Sequence, residues 1–230
     1  LIDRAGKQVI AFDPDHSEAF FGSGIVSILR DKRIVLIGAF GKRELDGEFE
    51  GVGKFSEGVC PVKVRREGRS DPVTIYIDES GNQALPGEFS LGSSFKEGFA
   101  IVRPVDNDSR SYLLDRSGKQ IELPEHIEIR AEGFSHGLLR AEILTDRSES
   151  TSGPGSVSSN SWTETQEVWL DYKGRIVVRF QPSNHKKGLF GQRIESEFDG
   201  SLAYIYSQDK LGVSGYVDRQ GKFVFIESPK

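Results

Sequence analysis

The sequence predicts an all-β protein built from repeated units. Short runs of β-branched and aromatic residues recur along the chain, two turn signatures recur with them, and no long amphipathic run marks a helix. The best helix candidate is residues 122–130, which Pro124 keeps short. We expect units of three or four strands in a propeller-like arrangement, because radial packing hides strand edges, with an open β-array as the alternative.

The first turn signature is an apolar residue, an aspartate, two variable residues and a glycine. Its aspartates are Asp3, Asp78, Asp115, Asp171 and Asp218, and its glycines are Gly6, Gly81, Gly118, Gly174 and Gly221. A degenerate copy carries Gly38 in place of the aspartate and closes at Gly41. Aspartate accepts a hydrogen bond from the amide two residues on, and glycine adopts the left-handed conformation. The signature therefore predicts hairpin turns in which these residues have a structural role.

A second signature, Phe-x-Glu-Gly, precedes each hairpin. It is clear at residues 55–58 and 95–98, weaker at 134–137 and 198–201, and faintest at 21–24. One unit therefore consists of Phe-x-Glu-Gly, a strand, a variable connection, a strand, Asp-x-x-Gly and a further strand. We expect a single repeat domain over residues 1–230, with a leading partial repeat at 1–10 and units at about 21–45, 55–86, 95–124, 134–178 and 198–225.

This combination of signatures resembles the WG-repeat family, also written KWG repeats. Family members carry Phe-x-Glu-Gly-Leu-Ala-x-Val followed by Trp-Gly-Tyr-Ile-Asp-x-x-Gly-Lys. The copy at residues 214–222 is the most similar, with Ser214 in place of the family's tryptophan, so the resemblance is to a divergent branch. It covers nearly the whole chain. The resemblance implies a bacterial, β-rich scaffold in an envelope or secreted setting, and it implies no catalytic residues.

Insertions fall at one equivalent place in successive units, between the strand that follows Phe-x-Glu-Gly and the strand that precedes Asp-x-x-Gly. They occupy residues 65–72, 104–110, 145–167 and 207–212. Insertions at one equivalent site lie on one face of a repeat array. The longest is rich in Ser and Thr and contains Gly-Pro-Gly, which predicts a mobile loop. We expect this loop edge to be the partner surface.

Two residues are candidates for binding because they depart from the repeat pattern. Trp162 is an isolated aromatic within the longest insertion, where it could anchor a partner or a sugar, or else fold back onto the protein's own surface. His136 stands where the repeat has glutamate, and neutral drift at a surface turn is the alternative to a ligand-binding role.

Composition and spacing argue against several other classes of function. The net charge of −5 gives no electrostatic attraction to nucleic acid or an anionic membrane, and no apolar run is long enough for a transmembrane segment. Cys60 is the single cysteine and is expected to be a buried small residue. The four histidines lack the spacing of metal ligands, and no nucleotide-binding motif is present, so we predict no metal and no cofactor.

The sequence therefore favours a non-enzymatic binding or scaffold module that recognises a protein or a cell-envelope polymer through its loop edge. The alternative is a glycan-acting hydrolase with carboxylates from different repeats in a central cleft. Glu57 and Glu97 are the obvious pair for that reaction, but they occupy the same position in successive repeats. Repetition favours a role in the turn instead.

Overall fold

The protein is all-β in the computed structural model, which describes residues 17–105, 110–153, 156–180, 192–194, 201–207 and 214–227. These residues form nineteen strands and no helix, so the all-β prediction is confirmed. The helix candidate at 122–130 is wrong, because this segment contains the end of one strand and the whole of the next, Ile127–Ile129. The alternation of Ile127, Glu128 and Ile129 has the period of a strand and not of a helix.

The strands form four antiparallel sheets. The first contains β1 (Ser17–Gly22), β2 (Ile25–Arg30), β3 (Arg33–Gly38) and β4 (Gly41–Leu45). The second contains β5 (Phe49–Val52), β6 (Cys60–Val64), β7 (Val73–Ile77), β8 (Phe89–Gly92), β9 (Phe99–Pro104), β10 (Tyr112–Asp115) and β11 (Gln120–Glu122). The third contains β12 (Ile127–Ile129), β13 (Leu139–Gly153), β14 (Ser156–Leu170) and β15 (Ile176–Arg179). The fourth contains β16 (Gln192–Ile194), β17 (Leu202–Ser207), β18 (Ser214–Asp218) and β19 (Phe223–Glu227).

Within each sheet the spatial order of the strands follows their order in the chain, as in a meander. Repeat 1 consists of β1–β4, repeat 2 of β5–β7, repeat 3 of β8–β11, repeat 4 of β12–β15 and repeat 5 of β16–β19. We name the strands of a repeat a, b, c and d. Strand a precedes Phe-x-Glu-Gly, strand b follows it, strand c precedes Asp-x-x-Gly and strand d follows it. In repeat 2 the position of strand d holds only an isolated bridge between Ile77 and Gln83.

The chain divides into two compact units. The first contains residues 1–109 and 114–119, and the second contains residues 110–113 and 120–230. The core of the first unit includes Ile34, Leu36, Phe55, Val62 and Ile77. The core of the second includes Trp169, Val178, Phe180, Ile205 and Val217.

Consecutive repeats pack through aromatic residues in the first unit. Tyr76, two residues before Asp78 of repeat 2, is fully buried and meets Phe95 of repeat 3 edge-on, with ring centroids 5.3 Å apart. The Tyr76 hydroxyl donates to the Ser93 carbonyl at 2.8 Å, and burial raises the pKa of this phenol. The phenylalanine of Phe-x-Glu-Gly therefore belongs to the interface with the preceding repeat.

The longest insertion is not a loop. Strands β13 and β14 pair without a break from Leu139 opposite Leu170 to Gly153 opposite Ser156. The predicted mobile loop at 145–167 is therefore wrong. Ser and Thr tolerate the extended conformation, and cross-strand contacts such as Thr163 Oγ1 to Asp146 Oδ1 at 2.9 Å hold the two strands together.

Candidate binding surface

The order of the strands gives each repeat two edges, one at either end of strands b and c. Strand b begins after Phe-x-Glu-Gly and strand c ends at Asp-x-x-Gly, so both signatures lie at one edge, which we call the turn edge. The connection from b to c lies at the other edge, which we call the loop edge. The two sequence signatures and the insertions are therefore on opposite edges of each sheet.

At the turn edge, each described aspartate organises its turn with one carboxylate oxygen. Asp78 Oδ1 accepts hydrogen bonds from the amides of Ser80 at 2.8 Å and Asn82 at 3.0 Å. The same two bonds, to the residues two and four positions later, recur at Asp115, Asp171 and Asp218. Asp3 and Gly6 lie outside the described residues. The aspartates are thus bound to backbone amides of their own turns.

Hydrogen bonding keeps two of these carboxylates ionised. The pKa of Asp115 is lowered chiefly by the Ser117 hydroxyl, whose oxygen lies 2.6 Å from Asp115 Oδ1. Burial alone would raise the pKa of Asp171, but the Arg175 guanidinium and the backbone amides of Arg175 and Lys173 outweigh burial and lower it. A general acid in glycan hydrolysis needs the opposite shift.

Four turn glycines make close contacts between repeats. Gly81, Gly118, Gly174 and Gly221 each have a positive φ, and each approaches the preceding repeat so nearly that a side chain would be crowded. A Cβ atom at Gly118 would lie 2.7 Å from the Pro86 ring, and one at Gly221 would lie 2.7 Å from Val178. Corresponding contacts join Gly81 to Leu45 and Gly174 to the Glu122 carbonyl. Glycine is required both for the turn and for the approach.

The Phe-x-Glu-Gly turns are tight hairpins in which both central residues have positive φ. Glu57 has a φ of 54° and Gly58 of 84°, the pattern of a type I′ turn. The Glu57 carboxylate accepts the Gly98 amide of the next turn, at 3.1 Å for Oε1 and 3.0 Å for Oε2. Glu97 has the same position and the same φ in that next turn. Glu57 thus links consecutive turns.

The loop edge of repeat 4 carries a projecting two-stranded ribbon. Strand β12 pairs with β13 only at residues 141–143, and β15 pairs with β14 only at residues 168–170. Residues 145–153 and 156–164 pair with each other across the ribbon. At its base, Arg140 donates to the buried Glu167 carboxylate with Nε at 3.0 Å. We call residues 145–164 the ribbon.

One face of the ribbon is a row of exposed oxygen-bearing side chains. Alternation along the paired strands places six described residues on this face, and all six are exposed: Asp146, Ser148, Ser150, Ser159, Ser161 and Thr163. We call it the hydroxyl face. Sequence reasoning missed it, although the period of two in the serines at 148, 150, 159 and 161 was a signal of strand structure.

The opposite face of the ribbon carries the aromatic and charged side chains. Trp162 lies directly across from Arg147 in the strand register and is half-buried. Arg147 Nε also donates to Glu164 Oε2 at 2.9 Å. Trp162 therefore lies in a strand, next to a cross-strand ion pair, and not in a loop.

The structure does not bring Trp162 and His136 together. His136 is exposed on the turn edge, with φ of 52° and with Nδ1 3.2 Å from the Ser135 hydroxyl. Trp162 lies at the level of Arg147, eight residues along β13 from Leu139, which corresponds to about 25 Å of strand. The two candidates cannot contact one small ligand.

In the first unit, the loop edge contains a groove of about 310 Å³. Its floor includes the buried Val73 and the half-buried Pro72 and Val105, and its rim includes the exposed Arg69 and Asp71. The groove thus joins the connection of repeat 2 to the start of the connection of repeat 3. Residues 106–109 of the insertion at 104–110 and residues 208–212 of the insertion at 207–212 lie outside the described residues.

A second groove, of about 230 Å³, has carboxylates in its lining. Glu18, Glu50 and Lys63 line it beside three glycines. The Glu50 carboxylate is paired with Arg65 Nε at 2.6 Å, so its oxygen is engaged by a permanent cation. Glu57 and Glu97 do not line this groove.

Across the described residues, no group of three or more His, Cys, Asp or Glu side chains is placed to hold a metal ion. Burial raises the pKa of the Cys60 thiol to about 12, which keeps it protonated and unreactive. The same residues contain no helix with the length and hydrophobicity needed to cross a membrane.

One family model matches part of the chain. Residues 76–107 match the model described as the WG containing repeat. The predicted WG-repeat resemblance is confirmed for this segment. The WG segment begins at the buried Tyr76, contains the Asp78 turn, the Phe-x-Glu-Gly turn at 95–98 and β9, and ends three residues after Pro104, so it contains both signatures. No curated protein and no solved structure matches the chain.

Proposed function

We propose that the chain is an array of WG-type repeats that acts as a non-enzymatic binding module and recognises a protein or a cell-envelope polymer through its loop edge. The observation that carries this proposal is the ribbon. It extends beyond the sheet to which it belongs, its hydroxyl face is fully exposed, and its other face presents a half-buried tryptophan beside an ion pair. Aromatic side chains flanked by polar groups are typical of recognition surfaces.

The turn edge supports the same proposal, because its side chains already have structural roles. Its aspartates bind backbone amides, and Glu57 binds the next turn. The hydrolase alternative has less support. Its expected pair of carboxylates, Glu57 and Glu97, lies on the turn edge. On the same edge, hydrogen bonds and ion pairs lower the pKa values of Asp115 and Asp171.

The test compares the full chain with a variant in which residues 145–164 are replaced by Asn-Gly, which closes β13 and β14 as a short hairpin. Co-sedimentation with insoluble peptidoglycan and cellulose measures polymer binding. Cross-linking to envelope proteins, followed by mass spectrometry, measures protein binding. We expect the full chain to bind one of these classes and the shortened variant to lose at least tenfold in affinity.

Point variants decide which part of repeat 4 is used. Trp162→Ala tests the aromatic face, and Ser161→Arg tests the hydroxyl face. His136→Ala tests the second candidate, and Lys173→Ala, in the exposed turn after β14, is the matched control and should bind like the unmodified protein. Equal binding by the shortened variant would exclude the ribbon as the recognition element. Release of reducing sugar ends by the purified chain, lost in Glu50→Gln, would favour the hydrolase.

The propeller-like arrangement of the repeats stays a prediction. The four-stranded meanders of repeats 1, 4 and 5 have the strand order of propeller blades, which supports it. The open array predicts a longer maximum dimension at equal mass. Small-angle X-ray scattering of the monomer distinguishes the two arrangements.

A further inference from the structure

The hydrogen bonds at the base of the ribbon show which backbone groups point out of its β13 edge. The Leu144 amide donates to the His126 carbonyl at 3.0 Å, on the side of β13 that faces β12. Backbone groups alternate between the two sides of a strand, and β13 pairs with β14 without a register shift from its base to its tip. The amides and carbonyls of Asp146, Ser148 and Ser150 therefore point toward the β12 side, away from β14.

Within the described part of the chain, no strand pairs with the β13 edge beyond Leu144. Strand β12 pairs only with residues 141–143, and the sheet contains no strand outside β12. The side chains of residues 146–150 are all exposed. Such an edge is a template for a further strand, and a two-stranded segment is only marginally stable until it gains one.

The charges of β13 determine which strand fits this edge. Asp146, Arg147 and Glu149 are exposed, and charged side chains on an edge strand oppose pairing with most other strands. A second copy of β13 is an exception. If two copies run antiparallel with Ser148 opposite Ser148, Arg147 of each copy lies opposite Glu149 of the other. Opposite charges at directly opposed positions stabilise a strand pair, whereas like charges destabilise it.

The same charges select one register. If the centre of pairing moves by one residue to Arg147, the two arginines lie opposite each other. If it moves to Glu149, the two glutamates do. With Ser148 at the centre, Asp146 lies opposite Ser150 of the other copy, so no like charges are opposed at any of these positions. The segment 146–150 is therefore complementary to itself.

We propose that two copies of this chain form a two-fold dimer by antiparallel pairing of their β13 edges, centred on Ser148. The pairing spans residues 145–151 of each copy, because His126 already occupies the edge at Leu144. Two ribbons thus become one four-stranded sheet. Both copies contribute the same surface, so the assembly closes at two copies. The dimer uses the backbone edge of β13 and does not depend on the proposed binding function.

The test is sedimentation velocity of the full chain from about 1 µM to about 200 µM, the range in which an interface of modest area dissociates. The weight-average mass is expected to rise with concentration toward that of a dimer and no further. Ser148→Pro removes an amide that points out of the edge and keeps the hydrogen bonds between β13 and β14, since proline is tolerated where a strand amide faces outward. We expect it to weaken dimerisation by at least about tenfold, because the central hydrogen bonds are lost.

Ser161→Pro is the matched control. Ser161 lies directly across the ribbon from Ser148. Its amide points out of the β14 edge, since the Glu167 carbonyl, an even number of residues along β14, accepts the Phe180 amide on that side. This variant is expected to dimerise like the unmodified chain. Circular dichroism of both proline variants checks that they are folded.

Charge variants test the register. In homodimers, Arg147→Glu places glutamates opposite each other and Glu149→Arg places arginines opposite each other, so each variant alone is expected to stay monomeric. In an equimolar mixture, each glutamate of the first variant lies opposite an arginine of the second. The mixture is therefore expected to form one-to-one dimers.

Several outcomes would overturn the proposal. They are an unmodified chain that stays monomeric up to about 200 µM, a Ser148→Pro variant that dimerises as well as the unmodified chain, and a mixture of charge variants that associates no better than either alone. Loss of dimerisation in Ser161→Pro but not in Ser148→Pro would assign the contact to the β14 edge instead. Dimerisation is measured without any polymer or partner protein, so its failure is distinguishable from failure of the proposed binding function.

Discussion

At the scale of single residues, the turn aspartate Asp115 combines backbone organisation with a lowered pKa. Asp115 Oδ1 accepts two amides and the Ser117 hydroxyl. Asp115→Ala removes all three bonds and is expected to lower the free energy of unfolding by about 1 kcal/mol, as loss of a capping side chain does. Asp115→Asn keeps an oxygen acceptor and is the control. Urea unfolding at pH 7 measures both, and equal stability of Asp115→Ala and the unmodified protein would contradict the role.

The lowered pKa of Asp115 also predicts a direction of pH dependence. The folded state binds the proton less tightly than the unfolded state, so the carboxylate stabilises the fold above the unfolded pKa of about 3.9 and loses this contribution as the pH falls through the lower folded value. The stability advantage of the unmodified protein over Asp115→Asn is therefore expected to be constant near neutrality and to shrink below pH about 4. Urea titrations between pH 7 and pH 3 measure it. A stability advantage that grows as the pH falls would contradict this prediction.

A comparison of substitutions at two turn glycines distinguishes the cost of a left-handed backbone from the cost of steric crowding. Gly98 has a φ of 86° and open space around its Cβ position, whereas Gly118 has a φ of 84° and the Pro86 ring within 2.7 Å. Gly98→Ala is expected to cost about 1 kcal/mol for the left-handed backbone. Gly118→Ala is expected to cost about 1–3 kcal/mol more, because of overpacking. If both variants lose the same free energy of unfolding in chemical denaturation, Pro86 moves away from the new methyl group without strain.

At the scale of strands, the sequence indicated strands b, c and d well and missed strand a. The Asp-x-x-Gly and Phe-x-Glu-Gly turns are local, since backbone amides and side chains a few residues apart determine them. Strand a is short, and in repeats 2 and 3 it also contains glycine, at Phe49–Val52 and Phe89–Gly92, so its local sequence pattern is weak there. Pairing with strand b forms it, and that pairing is not visible in a short window of sequence.

The ribbon shows why composition alone gave the wrong prediction, a loop, for residues 145–167. Serine and threonine with Gly-Pro-Gly are as common in loops as in polar two-stranded ribbons, and composition does not distinguish them. The register does, because it aligns Asp146 with Thr163 and Arg147 with Trp162. The insertion that contains Trp162 was located between strands b and c from the sequence, but its strand structure and its hydroxyl face were not predicted. A binding role for Trp162 stays a prediction.

Hydrogen exchange tests the structure of the ribbon. Residues 145–150 and 159–164 belong to a two-stranded segment, which is marginally stable in water, whereas residues 139–144 and 166–170 lie in the wider sheet at its base. We expect amides of the ribbon to exchange earlier than amides of the base, with partial protection relative to an unstructured peptide. Mass spectrometry of peptic fragments measures this. Complete lack of protection in the ribbon would contradict the pairing.

At the scale of the whole molecule, stability comes from the faces that repeats share. Phe95 and Phe21 occupy the same position in their repeats, but Phe95 is buried and Phe21 is exposed. Phe95→Ala is expected to cost about 3–5 kcal/mol, as for other buried phenylalanines. Phe21→Ala is expected to cost less than about 1 kcal/mol in the monomer. Thermal and urea unfolding at low protein concentration compare them, and similar losses would mean that Phe21 is covered in solution.

The close approach of each turn glycine to the repeat before it has a consequence for synthesis. Leu45 meets Gly81, Pro86 meets Gly118 and Val178 meets Gly221, so each of these contacts joins segments about one repeat apart. When a repeat leaves the ribosome, the preceding repeat, on which it packs, has already been synthesised. The new repeat can therefore pack before later segments are made. Folding can therefore proceed vectorially from the amino-terminal side, with each new turn docking as it emerges. At every stage the growing chain therefore exposes the apolar surface of its newest repeat, on which the following turn glycine docks.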